Sequence, residues 1–368
     1  MTWQMWKAWH RPVWRSEGPK SPKVAQGFTF RSLWRRSAFT GPCEHYGVQS
    51  TVPEKRSIGI SLTRVDKVFR SSVALGAFVS MIVLAAIGAF LLLRGFEIFR
   101  DFGFSFITGS KWDIGNPEDT STAVLGIGAM LVGSIITAII AVVFSVPFAI
   151  ATALLIEFYV PKWLKTILVS VLDLVTALPS VVFGIWGYAV LLPLVEGWSK
   201  TIEHYLGWIP IFSVPSGIFG RSPFLAGLLL SLMIVPIITS VAREVYSQAP
   251  RDLIDAASAL GGTRWGGLRT VVLPFGRSGL VGGTMLGLGR ALGETVAVYL
   301  TLNLVFEINF KILASAGGNV ASLIATKFGE ATAYELKALM AAGLVLFLVT
   351  LLVNFAATMI VNKSRKII

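Results

Sequence analysis

Two groups of side chains in this sequence stand at intervals that matter chemically. The first is Arg290 with Glu294, four residues apart inside a long apolar stretch, Gly279 to Val305. That interval predicts both side chains on one helix face. An ionisable group at mid-membrane costs about 2.5–3.5 kcal/mol on insertion scales, so it persists when it is paired or faces a polar path. A guanidinium beside a carboxylate is partly neutralised, and its forked donors match the paired oxygens of an oxyanion. A salt bridge that only locks two helices together is the other reading of the same residues. The second group is the run QAPRDLIDAASALGGTRWGGLRTVVLP, from Gln248 to Pro274, where acids, small residues and glycines alternate in a helical pattern.

The elements that must hold these groups are membrane spans. The chain has 368 residues, of which 54% are hydrophobic and 14% charged, against roughly 25% charged in soluble domains. A soluble fold of this length cannot bury that much apolar surface, which excludes a water-soluble enzyme. Stretches of about 20 apolar residues read as spanning helices. Six qualify: Val73 to Leu93, Ala123 to Leu155, Ile167 to Val195, Phe224 to Ala242, Gly279 to Val305 and Ala338 to Val361. Pro147 and Pro179 predict kinks in the second and third. Glycines 279, 283 and 287, and separately 289 and 293, recur every four residues, a spacing that predicts close helix packing. Pro179-Ser180 and Pro236 interrupt helix ladders at membrane depth, either lining a cavity or bending the helix.

Charge orients the spans. With residue 1 inside, the inner segments hold 23 Lys and Arg against eight acids, and the outer loops eight against ten. The distribution predicts both termini in the cytoplasm. The net charge of +12 thus reports topology, and no nucleic-acid partner is expected. Asp173, near the inner end of the third predicted span, reads as an interfacial residue rather than a substrate ligand.

The loop from Arg243 to Ser278 predicts two short helices. Pro250 opens the first, Asp252 and Asp255 suit the positive end of its dipole, and Gly261-Gly262 ends it. Thr263 caps a second helix running to Leu273-Pro274. An amphipathic helix lying on lipid is the plain alternative. Small alanines anchor poorly in lipid but permit close docking in a groove of another protein.

The run DAASALGGTRWGGLRTVVLP resembles the EAA coupling loop of binding-protein-dependent ABC importer permeases, with Asp255 where that family usually has Glu, then Ala256, Ala257 and Gly261, and Leu273-Pro274 at the end. Three more segments, ALPSVVFGIWGYAVLLP (177–193), GLGRALGETVAV (287–298) and GNVASLIATKFGEA (318–331), resemble phosphate-specific transport permeases, the PstC-type subunit more than the PstA-type. The resemblance covers roughly Leu62 to the C-terminus. It implies an all-α integral membrane fold of six transmembrane helices of the type I ABC importer permease kind. It further implies a bacterial plasma (inner) membrane location, a PstA-type second permease, PstB-type ATPase subunits and an extracytoplasmic PstS-type phosphate-binding protein. No cofactor is implied. In such a permease Arg290 and Glu294 would line the substrate pathway. Counting donors and acceptors, independently of the resemblance, lets Glu294 take the proton that HPO4²⁻ or H2PO4⁻ carries and sulfate lacks. Asp255, Ala256, Ala257, Gly261, Leu273 and Pro274 would couple to the ATPase.

The sequence lacks G-x-x-x-x-G-K-[ST], so ATP hydrolysis is expected in another subunit. No nucleophile-base pair or two-carboxylate site stands out. Cys43 is the single cysteine, and His10, His45 and His204 are scattered. Neither a disulfide nor a metal site is expected. A different oxyanion such as sulfate or molybdate is the nearest alternative substrate. An ATP-independent secondary transporter would need an inverted repeat, which the sequence does not display. A scaffold that reports phosphate status is a third alternative. Residues 1–60 hold five of the eleven tryptophans without sustained periodicity. They read as a disordered basic tail or as upstream sequence from a misassigned start, ahead of a permease domain over 61–368. They contain no apolar core of a secretory signal. Leu62, Val65 and Phe69 opposite Arg64, Lys67 and Arg70 predict a short interfacial helix before the first span.

Overall fold

The computed structural model describes residues 63–115 and 122–365. The basic tail lies outside them. The described residues are mostly helical: α1 (Arg64–Phe102), α2 (Ser105–Thr108), α3 (Gly128–Leu154), α4 (Lys162–Ala177), α5 (Ser180–Trp186), α6 (Leu192–Leu206), α7 (Pro223–Ser247), α8 (Arg251–Ala259), α9 (Arg264–Gly267), α10 (Leu273–Gly293), α11 (Val296–Thr301), α12 (Val320–Lys327) and α13 (Ala333–Arg365). One two-residue antiparallel pairing, Trp112 with Leu125 and Asp113 with Val124, joins the segments between α2 and α3.

Six helical stretches among the described residues are long and apolar enough to cross a membrane: Arg64–Phe102, Gly128–Tyr159, Ser180–Leu206, Pro223–Ser247, Arg264–Gly293 and Ala333–Met359. Their number matches the expectation, but three boundaries differ for physical reasons. The interfacial helix expected before the first span is not separate, because α1 runs unbroken from Arg64. The expected third span, Ile167 to Val195, is two helices. Pro179 drives the preceding Leu178 into an extended conformation (ψ 136°), as the ring clashes with an α conformation before it. Helix α4 therefore ends there, with no fully buried residue and carrying the exposed Asp173, and the span starts at Ser180. The expected fifth span lies too far along the chain, since its helix begins at Arg264 and stops at Gly293.

The core is built by α3, α7 and α10. The glycines at 279, 283 and 287 let α10 lie against α7: an added Cβ would meet Val245 at 2.2 Å, Val241 at 3.0 Å and Ile238 at 3.2 Å. A Cβ at Gly227 of α7 would likewise meet Ile140 of α3 at 2.5 Å. Lipid gives apolar helices no hydrophobic drive to associate, so such backbone approach supplies the dispersion contact that holds a membrane bundle. Gly289 and Gly293 face open space, so among the described residues only the first set of glycines packs closely. A second cluster joins the ends of α1 and α13 to α12 through Ile98, Phe106, Leu323 and Ala342. A third lies beneath α8 and α9 around Tyr246, Leu268 and Val272.

Candidate functional site

Arg290 and Glu294 do not share a helix face. Helix α10 ends at Gly293, and Glu294 is extended (φ −70°, ψ 128°) before α11 resumes at Val296. A helix broken inside a bundle must find new partners for the freed backbone groups, and three contacts supply them here. The Thr295 hydroxyl donates to the Gly293 carbonyl at 3.2 Å. The Asn319 side-chain amide donates to the Glu294 carbonyl at 2.7 Å. The Ala297 N–H donates to Glu294 Oε1 over a long 3.5 Å. Glu294 is 8% exposed, so its carboxylate is held in the break rather than against the guanidinium.

Arg290 stands in the last turn of α10, where a cation suits the negative end of the helix dipole. It is half-buried, and its Nε is buried without a hydrogen-bond partner. Ion pairs do form among the described residues, Glu157 with Lys165 at 2.6 Å and Glu196 with Lys200 at 2.8 Å among them. None of those found includes Arg290 or Glu294. The self-neutralising pair expected from the i, i+4 spacing is thus replaced by a carboxylate bound to backbone and a guanidinium with unspent donors. That combination can receive an anion.

The second group forms a hairpin at the opposite end of α10. Pro250 precedes α8, Gly261 takes the left-handed conformation (φ +84°) that ends it, and the Thr263 hydroxyl accepts from the Gly266 N–H at 3.1 Å. These three agree with the sequence pattern. Asp255 and Ala256 are exposed and Ala257 half-buried. Leu253, Leu260 and Trp265 project beside them, Leu260 being 91% exposed. A cleft of about 240 Å³ lined by Glu157, Tyr246, Arg251, Ile254 and Asp255 opens at the base. Leu273 and Pro274 are not on this surface. The second short helix does not stop there, because α9 passes through a π-helical turn, Leu268–Val272, into α10. The wider turn accommodates a proline that has no N–H to give. One continuous helix of 30 residues, Arg264–Gly293, about 45 Å at 1.5 Å per residue, therefore links the hairpin to Arg290.

A family model of the binding-protein-dependent transport system inner membrane component matches residues 145–366, which contain the hairpin, α10 and the break. The chain belongs to that permease family. Within it, the phosphate transport system permease protein PstC of Pasteurella multocida is 35% identical over 305 residues, 82% of this chain and 93% of that protein. PstC 2 of Mycobacterium bovis is 36% identical over 297 residues, 80% of this chain and 91% of that protein. Among solved structures, an inward-facing form of the MetNI methionine ABC transporter is similar with a TM-score of 0.44 and 17% identity, over 65% of this chain and 94% of that one.

The break is held by residues that the sequence pattern did not single out. Asn319, Ser322 and Ser134 are all buried at the break. Asn319 Oδ1 accepts from the Ser322 N–H at 2.7 Å, and the Ser322 hydroxyl lies 3.4 Å from the Asn319 N–H in a reciprocal cap. Asn followed three residues later by a hydroxyl was the available signal, since that is the spacing of a capping box. Its link to Glu294, 25 residues away, left no local trace.

Proposed function

We propose that this chain is one of two permease subunits of an ATP-driven, binding-protein-dependent importer of inorganic phosphate in a bacterial plasma membrane, with both termini in the cytoplasm. The reading rests on Arg290: a cation at membrane depth with a buried, unpartnered Nε, at the far end of a helix that starts in an exposed docking hairpin. The relatives named for phosphate transport support the substrate, and the segregated basic residues support the orientation.

In this reading Asp255, Ala256, Ala257 and Gly261 present the surface that an ATPase subunit grips, while Leu273 and Pro274 carry its displacement into α10. Binding of ATP rocks the hairpin, and the helix carries that motion to the spans, which alternate between inward- and outward-open states around Arg290. The forked donors engage phosphate oxygens. Glu294, acceptor-rich and buried beside the break, meets the hydrogen that HPO4²⁻ or H2PO4⁻ carries and that sulfate lacks. A PstA-type permease supplies the other wall and a PstS-type protein delivers the anion from outside.

The test is labelled-phosphate uptake by cells without other phosphate transporters, carrying this chain with its partner subunits. Uptake that requires the ATPase and is lost in a surface-stable Arg290→Gln supports the reading. Normal phosphate uptake by Arg290→Gln removes Arg290 from the pathway. Uptake of sulfate or molybdate in place of phosphate overturns the substrate.

A further inference from the structure

The segment Gly318–Ser322 has no part in the mechanism above, yet it joins three elements at the break. Gly318 packs on α3, where its carbonyl lies so near Gly133 that a Cβ there would stand 2.0 Å from the oxygen. The Val320 N–H donates to the Ser134 hydroxyl of the same helix at 3.1 Å. Between these two anchors Asn319, 1% exposed, uses both ends of its amide. Oδ1 takes the Ser322 N–H that opens α12, and Nδ2 gives its hydrogen to the Glu294 carbonyl.

We propose that Asn319 is a positioning residue of the translocation site, clamping the carbonyl of Glu294 so that the α10–α11 break stays open and Arg290 and Glu294 hold their separate places. The inference rests on the pathway role proposed for Arg290, and its test separates the two. In a continuous helix the Glu294 carbonyl would accept a hydrogen bond from Val298, four residues on. Turned outward by its extended backbone, it needs another donor in a water-poor interior. Asn319 provides it from a backbone fixed to α3, so the helix beside the break holds it together with the local bonds of Thr295 and Ala297. A residue serving only as a helix cap needs an acceptor alone, and Asp, Ser and Asn fill that role about equally. A clamp needs a donor that reaches the Glu294 carbonyl while an acceptor holds the Ser322 N–H; ionised Asp has no donor, and the single, shorter hydroxyl of Ser cannot span both partners.

The experiment compares Asn319→Asp, Asn319→Ser and Asn319→Ala in the assembled transporter, in a chain carrying Cys43→Ser and Gly293→Cys as the reference. Gly293 is exposed with open space around its Cα, so a thiol introduced at position 293 reports the break directly. Two readouts are taken: the rate at which a water-soluble maleimide labels that introduced thiol, and phosphate uptake per assembled complex. The clamp predicts that Asn319→Asp and Asn319→Ser assemble yet shift the labelling rate roughly tenfold, the factor for one net hydrogen bond lost, with uptake falling alongside. Reference-level labelling and uptake in Asn319→Asp, with loss only in Asn319→Ala, reduces Asn319 to a cap and overturns the proposal. Altered labelling with unchanged uptake keeps the clamp and instead sinks the pathway role of the residues it holds.

Discussion

Gly133 of α3 and the Gly318 carbonyl are in backbone-to-backbone contact: a Cβ at Gly133 would lie 2.0 Å from that oxygen. Neither partner can move cheaply, because Gly133 sits within a helix and Gly318 is itself pressed against Met130, whose Sδ lies 2.4 Å from where its own Cβ would be. Gly133→Ala is therefore expected to destabilise the chain by about 1–3 kcal/mol, the range for overpacking a close-fitted interior. A lower unfolding midpoint of the purified protein checks it, and an unchanged midpoint would show that α3 shifts freely.

The glycines of α10 should divide into two classes. Gly279→Ala brings a methyl against Val245 and is expected to cost about 1–3 kcal/mol. Gly289→Ala meets nothing within 4 Å and replaces a poor helix former with a good one, a gain of up to about 1 kcal/mol. Thermal unfolding of the two variants side by side should move in opposite directions.

At the end of the bundle where α1 meets α13, Trp112 Nε1 donates to the buried Glu335 carboxylate at 2.8 Å. Its indole also stacks on Phe306, with ring centroids 6.3 Å apart. Trp112→Phe keeps an aromatic ring but removes the donor, leaving the carboxylate one partner short at a cost of about 1–3 kcal/mol. Adding Glu335→Met should recover most of the loss, since removing both partners is close to neutral. A double variant as unstable as the single one would assign the effect to ring packing instead.

Leu260 is 91% exposed at the tip of the α8–α9 hairpin and buries little apolar surface among the described residues. Leu260→Asp should leave the unfolding midpoint within error. If the hairpin seats in an ATPase subunit, the same change should weaken that association by about 2 kcal/mol, near thirtyfold, as for a buried interface anchor. Co-purification of the ATPase with the permease measures it, and retention at the wild-type level would place the contact elsewhere.

Most of the architecture can be read from local pattern. Spans are legible because a membrane core demands a long apolar run, and six runs met six helices. Turns of the docking hairpin are legible because caps act within three or four residues: Thr263 reaches Gly266, and Gly261 adopts the left-handed backbone that an L side chain resists. Half of the glycine spacing was informative, since 279, 283 and 287 meet α7. Nothing local distinguishes them from 289 and 293, where an added Cβ would meet nothing within 4 Å among the described residues.

The break at Glu294 was decided in three dimensions. By spacing alone, GRALGETVAV continues as a helix and pairs Arg290 with Glu294. In the broken form the Glu294 carbonyl, turned away from Val298, takes its hydrogen from Asn319, 25 residues on and held on α3 by its neighbours. The run of α9 through Pro274 into α10 has the same origin: a π-helical turn absorbs the proline where Leu268 and Val272 are packed into the core. Local residues set which helices form and how they start. Contacts between residues far apart in the chain set where those helices stop, and here that stop is what separates the cation from the carboxylate.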